Sequence, residues 1–168
     1  MRILMLTITV AFALASALAG CVARPWTEHA YPAWGFAAAF PAPPVETDTS
    51  TATVRSFAVT GSGEDKTLAI GVIDLTGVTK PDDQVMSEAI AAIAGDRPVT
   101  VAYWALGPAG NQHMGRAAVI ERGGGLKMTL RVLVANRRLY QISTVSLGSK
   151  SPKTETFLDS FRIMEPAP

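Results

Sequence analysis

The chain has 168 residues, a single cysteine, and 15 Lys+Arg against 14 Asp+Glu, a formal net charge of +1. That length fits one ordinary domain able to bury a core without staples, and one thiol excludes an internal disulfide framework. The balanced charge, without an aromatic platform interleaved with arginine, argues against nucleic acid as a partner.

Arg2 precedes an apolar stretch from Ile3 to Ala19, broken only by Thr7, Thr9 and Ser16. A short positive region, an apolar region and a small-residue zone make a secretory signal. The stretch falls short of the roughly 20 apolar residues a membrane-spanning helix needs. It closes on Leu18-Ala19-Gly20-Cys21, which resembles the lipobox of bacterial lipoproteins. The resemblance implies cleavage after Gly20 and diacylglyceryl and N-acyl groups on Cys21. Each buried CH₂ contributes about 0.8 kcal/mol, so two or more chains hold a protein stably at a bilayer. In lipoprotein sorting an Asp after the cysteine is the inner-membrane retention signal. Val22 stands there instead, which implies an outer-membrane, periplasm-facing address in a two-membrane cell.

The organisation expected is a signal peptide at 1–20, a lipidated N-terminus and tether at 21–34, and a single domain at 35–168. Trp26, Tyr31 and Trp34 lie in the tether, where amphipathic rings suit the headgroup level; for Trp34, packing on the domain edge is the preferred reading. Residues 21–100 hold 5 basic and 10 acidic side chains, and residues 101–168 hold 9 basic and 4 acidic. The plain reading is that the two halves interleave and their charges mix.

Gly35–Phe40 reads as a first strand, stopped by Pro41-Ala42-Pro43-Pro44. The alternation through Val45–Thr60 reads as strand, followed by a turn at 61–65. Thr67–Asp74 reads as a strand with Leu68, Ile70 and Val72 on one face. A helix follows, with Thr79 as cap and Asp82 three residues on. Val85, Ala89 and Ile93 repeat at four to give it an apolar stripe, and Gly95 closes it. Strands are expected at Val99–Leu106, Met114–Arg122, Leu126–Ala135 and Leu139–Leu147, with hairpin turns at Gly123–Gly125 and Asn136-Arg137. In Leu126–Ala135 the face carrying Lys127, Thr129 and Arg131 is expected to be wet. Ser151-Pro152 opens a second helix that turns Phe157, Leu158 and Phe161 inward, and residues 162–168 are a tail. Strands with few helices point to α+β with an antiparallel sheet.

Several short runs occur in order along the chain: Gly35-Phe36 with Phe40-Pro41, Ala89 to Gly95, His113-Met114-Gly115-Arg116, Asn136-Arg137-Arg138-Leu139-Tyr140-Gln141, and Phe157-Leu158-Asp159-Ser160-Phe161. Together they resemble the PsbP-like family. The resemblance implies an α+β fold with an antiparallel sheet of about six strands and helices on both faces. It also implies a non-catalytic binding or assembly module, with no catalytic set to carry over.

His113 lies in a loop entering a strand, where a functional group is easily presented. Without a partner at ligand or general-base spacing it reads as a turn or packing residue. Ser62 or Ser87 with His113 and Asp74 makes a nominal hydrolase set, but no Gly-x-Ser-x-Gly elbow accompanies it. Gly123–Gly125 lacks the Lys-Ser/Thr of a phosphate loop, and Asp82 and Asp83 suit the first turn of a helix. Arg131, Arg137 and Arg138, with His113, are the candidates for docking a partner or headgroup. No catalytic residue, metal ligand or cofactor is assigned. The expectation is therefore a non-catalytic, membrane-anchored periplasmic lipoprotein that binds an unknown envelope protein. A carrier of a small apolar ligand, in a groove between helix 82–94 and the sheet, is the alternative. An unrecognised hydrolase comes third.

Overall fold

The structure is a computed structural model that describes residues 26–63, 66–109, 112–147 and 152–164. The signal region, Leu18-Ala19-Gly20 and Cys21 lie outside the described residues. Among those described, ten strands form two antiparallel sheets, accompanied by two α-helices. The expected α+β fold with one sheet of about six strands is thus corrected: the molecule is mostly β. The larger sheet has seven strands in the order β3 (Val45–Asp48), β4 (Ser56–Gly63), β5 (Lys66–Asp74), β9 (Arg138–Leu147), β8 (Leu126–Ala135), β7 (His113–Glu121), β6 (Val99–Leu106). The smaller has the order β1 (Thr27–Tyr31), β2 (Phe36–Phe40), β10 (Arg162–Ile163).

The second sheet is built on the expected strand at 36–40, and its two outer strands come from segments that carry little strand signal. β1 lies in the stretch expected to be tether, and pairs along its whole length with β2, from Thr27 opposite Phe40 to Tyr31 opposite Phe36. Trp34 and Trp26 both pack on the core, and Trp34 stacks on Phe57 at 5.2 Å between ring centroids. The fold therefore starts well before residue 35. β10 lies in the expected tail, with Arg162 opposite Ala37 and Ile163 opposite Phe36.

Two further expectations are corrected. Val45–Thr60 is not one strand but a hairpin, broken where side chains bind backbone: the Ser50 N–H donates to Asp48 Oδ1 at 2.8 Å and the Val54 N–H to Thr51 Oγ1 at 3.1 Å. Such local bonds compete with a ladder. Gly61-Ser62-Gly63 is strand rather than turn, paired with Leu68, Thr67 and Lys66.

Helix α1 (Asp82–Ala94) begins later than its expected cap. Pro81 holds the N-cap position without a side-chain cap bond, and Asp82 and Asp83 occupy the first turn. Gly95 closes the helix with its N–H on the Ala91 carbonyl, but at ψ −132 it is not in the left-handed helical region. Helix α2 (Pro152–Ser160) buries Phe157 and Leu158, and Phe161 follows it into the core.

The large sheet separates two apolar layers. Leu68, Ile70, Val72, Tyr140, Ile142 and Leu133 meet the small sheet and α2, forming a cluster with Phe36, Phe40, Phe57, Phe157 and Phe161. On the other side Met128, Leu130, Val132, Ala118 and Ile120 meet Val85, Met86, Ala89 and Ile90 of α1. On the face of β8 expected to be wet, Lys127 is exposed and Thr129 and Arg131 are half-buried, while Leu133 and Ala135 near its end are buried. Charges of the two halves do mix: Arg162 pairs with Glu28 at 2.7 Å, and Arg116 Nε donates to Asp83 at 3.0 Å.

Candidate functional site

Of the three arginines singled out from sequence, Arg131 and Arg138 are engaged within the fold. Arg131 projects from β8 beneath α2, donating from Nη1 to Asp159 at 2.7 Å and from Nη2 to Glu155 at 3.3 Å. Its guanidinium lies 5.0 Å from the Trp104 ring centroid, a cation–π distance. It is a strut between the sheet and α2.

Arg138 and Tyr140 hold down the turn before β2: Arg138 Nη2 donates to the Ala33 carbonyl at 3.1 Å and Tyr140 Oη to the Trp34 carbonyl at 3.0 Å. Burial pushes the Tyr140 phenol above its ordinary range, with Arg138 pulling partly the other way. Arg137 and Asn136 take positive φ in the β8–β9 turn, and the Arg137 carbonyl accepts from the Leu75 N–H. The Arg137 side chain is exposed. The runs that carried the family resemblance thus converge on packing. Phe36 stacks on Phe161 at 5.8 Å and meets Tyr140 at 6.2 Å. Ser160 Oγ accepts from the Ala39 N–H at 2.9 Å.

His113 opens β7 opposite Leu106. The next positions explain that run: a Cβ on Gly115 would lie 2.5 Å from the Val132 carbonyl and 2.9 Å from Trp104, so glycine is what lets Trp104 lie against the sheet.

The nominal hydrolase set is dispersed. Ser62 sits opposite Thr67, and Asp74 lies seven residues along the same β5 strand, roughly 23 Å away at the strand rise. β5 and β7 are separated by β9 and β8, which puts Asp74 and His113 roughly 14 Å apart at the usual strand spacing. Ser87 Oγ donates to the Asp83 carbonyl. The Asp74 carboxylate accepts from the Thr76 side chain and backbone, which lowers its pKa. Among the described residues no three His, Cys, Asp or Glu side chains group as metal ligands.

One concave surface was not foreseen from sequence. Helix α1 packs chiefly on β8 and β7, with Leu139 and Val145 of β9 and Ile73 of β5 at its border, and leaves open part of the face built by β4, β5 and β9. Its floor is Ala58, Ala69, Gly71, Ile73, Gln141 and Ser143, small or uncharged side chains. Ile93 and Met128 wall one side and the 49–54 loop the other. Two adjoining hollows of about 350 and 320 Å³ share Ala58, Gly71 and Gln141. The sequence signal was present in β5, where Ala69 and Gly71 alternate with Leu68, Ile70 and Val72. Small residues opposite a bulky stripe mark an uncovered face only once the position of α1 is known. Beneath α1, Val85, Met86, Ala89, Ile90 and Ala94 are at most 9% exposed, while Ala91 and Ala92 face outward; the hollow lies beside the helix, bordered by Ile93.

No protein-family model and no curated protein sequence matches the chain. Among solved structures it is similar to the cyanobacterial PsbP protein of Synechocystis sp. PCC 6803, with a TM-score of 0.55 at 13% sequence identity. The match covers 86% of this chain and 95% of that one. At that identity the likeness is one of fold: the domain has a PsbP-like fold.

Proposed function

We propose that the protein is a lipid-anchored, non-catalytic binding module on the periplasmic side of the bacterial outer membrane. Cys21 is the lipidated residue, and Leu18-Ala19-Gly20 is the processing site before it. The observation that carries this reading is the lipobox-like run behind an apolar signal segment. The uncovered sheet floor around Gln141 supports the binding half. It consists of small or uncharged side chains on paired strands, with Arg122 on the rim and the 49–54 loop as one wall; paired strands suit a surface that must keep its shape.

A partner protein of the envelope is the occupant that fits this account. Anchoring then acts as the selector, because a short connection from Cys21 to β1 holds the domain near the bilayer. The test is metabolic palmitate labelling with membrane fractionation. Wild type takes up label and sediments with outer membranes; Cys21→Ser takes up none and moves to the soluble periplasmic fraction. Equal labelling of both would overturn the anchor.

A second reading has its own observation. The two adjoining hollows are near the lower end of the size range for small-molecule sites, so a carrier of a small apolar ligand is the alternative. Native mass spectrometry separates the two. A carrier leaves the cell with a bound small molecule that Gly71→Leu removes, whereas the docking module does not.

A further inference from the structure

The two edges of the seven-stranded sheet are unlike. β3 is four residues long, carries Glu46 and Asp48, and follows Pro43-Pro44. Short length, charge and proline are the devices that keep sheet edges from pairing. β6 lacks the first two: Val99–Leu106 is eight residues with no charged residue, though Pro98 precedes it. The large apolar side chains it exposes cluster on one face, Val99, Val101 and Tyr103 (74% exposed), joined by Met114 of β7; a cation on that face, Arg116 of β7, lies 4.5 Å over the Tyr103 ring and is paired with Asp83.

We propose that this edge pairs antiparallel with the β6 edge of a second copy of the chain, closing a two-fold dimer. Three observations select that occupant. First, β6 offers no charge to a copy of itself, whereas the carboxylates and short length of β3 disfavour a head-to-tail β3–β6 contact; two identical edges make a closed pair rather than a filament. Second, a two-fold axis normal to the sheet must place some residue opposite itself. Odd residues then meet odd ones, and the apolar face of one copy runs on into that of the other. Third, axes at Ala102 and at Tyr103 each pair seven residues of β6, and the one at Ala102, pairing 99–105, keeps the bulky Tyr103 off the axis. It sets Val101 against Tyr103 of the second copy, and Thr100 against its Trp104. These are aromatic–β-branched cross-strand pairs of the stabilising kind. Ala102, exposed and opposite Ala117 of β7, leaves the axis uncrowded.

This surface is the sheet edge and not the floor around Gln141, so it stands apart from the proposed anchor and docking face. The experiment is sedimentation equilibrium of the full chain in density-matched detergent, with Ala102→Lys and Ala102→Glu made separately. The expected result is a wild-type dimer. Each variant should weaken self-association by roughly tenfold or more, because like charges then face each other at the axis. Mixing the two variants should restore a one-to-one dimer, which also excludes misfolding as the cause of the loss. A monomeric wild type, a dimer indifferent to both variants, a mixture that stays monomeric, or open-ended assembly would overturn the proposal.

Discussion

The two sides of the large sheet are covered by different chemistry. On one side lie Phe36, Phe40, Phe57, Phe157, Phe161, Tyr31 and Tyr140, with all three tryptophans packed against them. The other side, under α1, buries no aromatic residue at all among those described; its core is Val, Met, Ala, Ile and Leu. Aromatic rings add directional edge and stacking contacts to area burial, and here they tie together segments from opposite ends of the chain. Alanines at 89 and 94 instead let α1 lie close to β7 and β8. A single helix is too narrow to roof seven strands, and what it leaves uncovered is the floor around Gln141. One side specifies the fold, and the other leaves surface for use.

Truncations break this comparison first. Phe36→Ala should be the costliest, about 3–5 kcal/mol, because Phe36 is fully buried and touches Tyr31, Tyr140 and Phe161. Ile90→Ala on α1 should cost less, near the low end of about 2–5 kcal/mol, because a helix packed on one side can settle onto the sheet. Urea unfolding of the two variants checks the order, and the reverse order would undo the assignment of roles.

Gly35→Ala comes next. Gly35 has φ +71, and an added Cβ would lie 2.7 Å from Arg138 Nη1 and 3.2 Å from Tyr140 Oη. A strained left-handed residue costs on the order of 1–3 kcal/mol, and here it also loosens the turn those two side chains hold. Thermal unfolding should show the loss, with the helical far-ultraviolet signal retained.

A smaller effect is alkaline sensitivity. Burial raises the Tyr140 phenol, and burial followed by the nearby Glu46 carboxylate raises Tyr31. For an acid raised in the folded state the neutral form is favoured by folding. The associated stability is therefore fully present below the unfolded value of about 10 and is lost as pH rises through the folded value. Unfolding midpoints should hold steady up to about pH 9 and fall above about pH 10. Tyr140→Phe should flatten that fall while lowering neutral-pH stability by about 1 kcal/mol for the lost bond to Trp34. An unchanged alkaline limb would show that the aromatic side is not the sensitive one.

The sequence made one half of this comparison much easier to read than the other. β5, β6, β8, the β8–β9 turn and the inward face of α2 follow from alternation, turn residues and spacing, because each is fixed by neighbours close in the chain. In the small sheet only β2 does, from Gly35–Phe40. β1 sits among prolines and tryptophans, and β10 is two residues long; both exist only because β2 offers them a partner from far away in sequence. Arg131 and Arg138 looked free for the same reason. Their acceptors lie 24, 28 and 105 residues away, and no local pattern announces them. The floor around Gln141 was hidden because it is defined by what α1 does not cover.

The central claim is that the uncovered floor is a docking face that the membrane anchor brings to its partner. A photo-crosslinking residue in place of Gln141 tests it most directly in intact envelopes, with the same probe in place of the exposed Lys127 as control. The account predicts one discrete adduct from position 141, distinct in mass from a dimer of the chain. That adduct should be absent from position 127 and lost in the Cys21→Ser background. No adduct at 141, or the same adduct without the anchor, would contradict it.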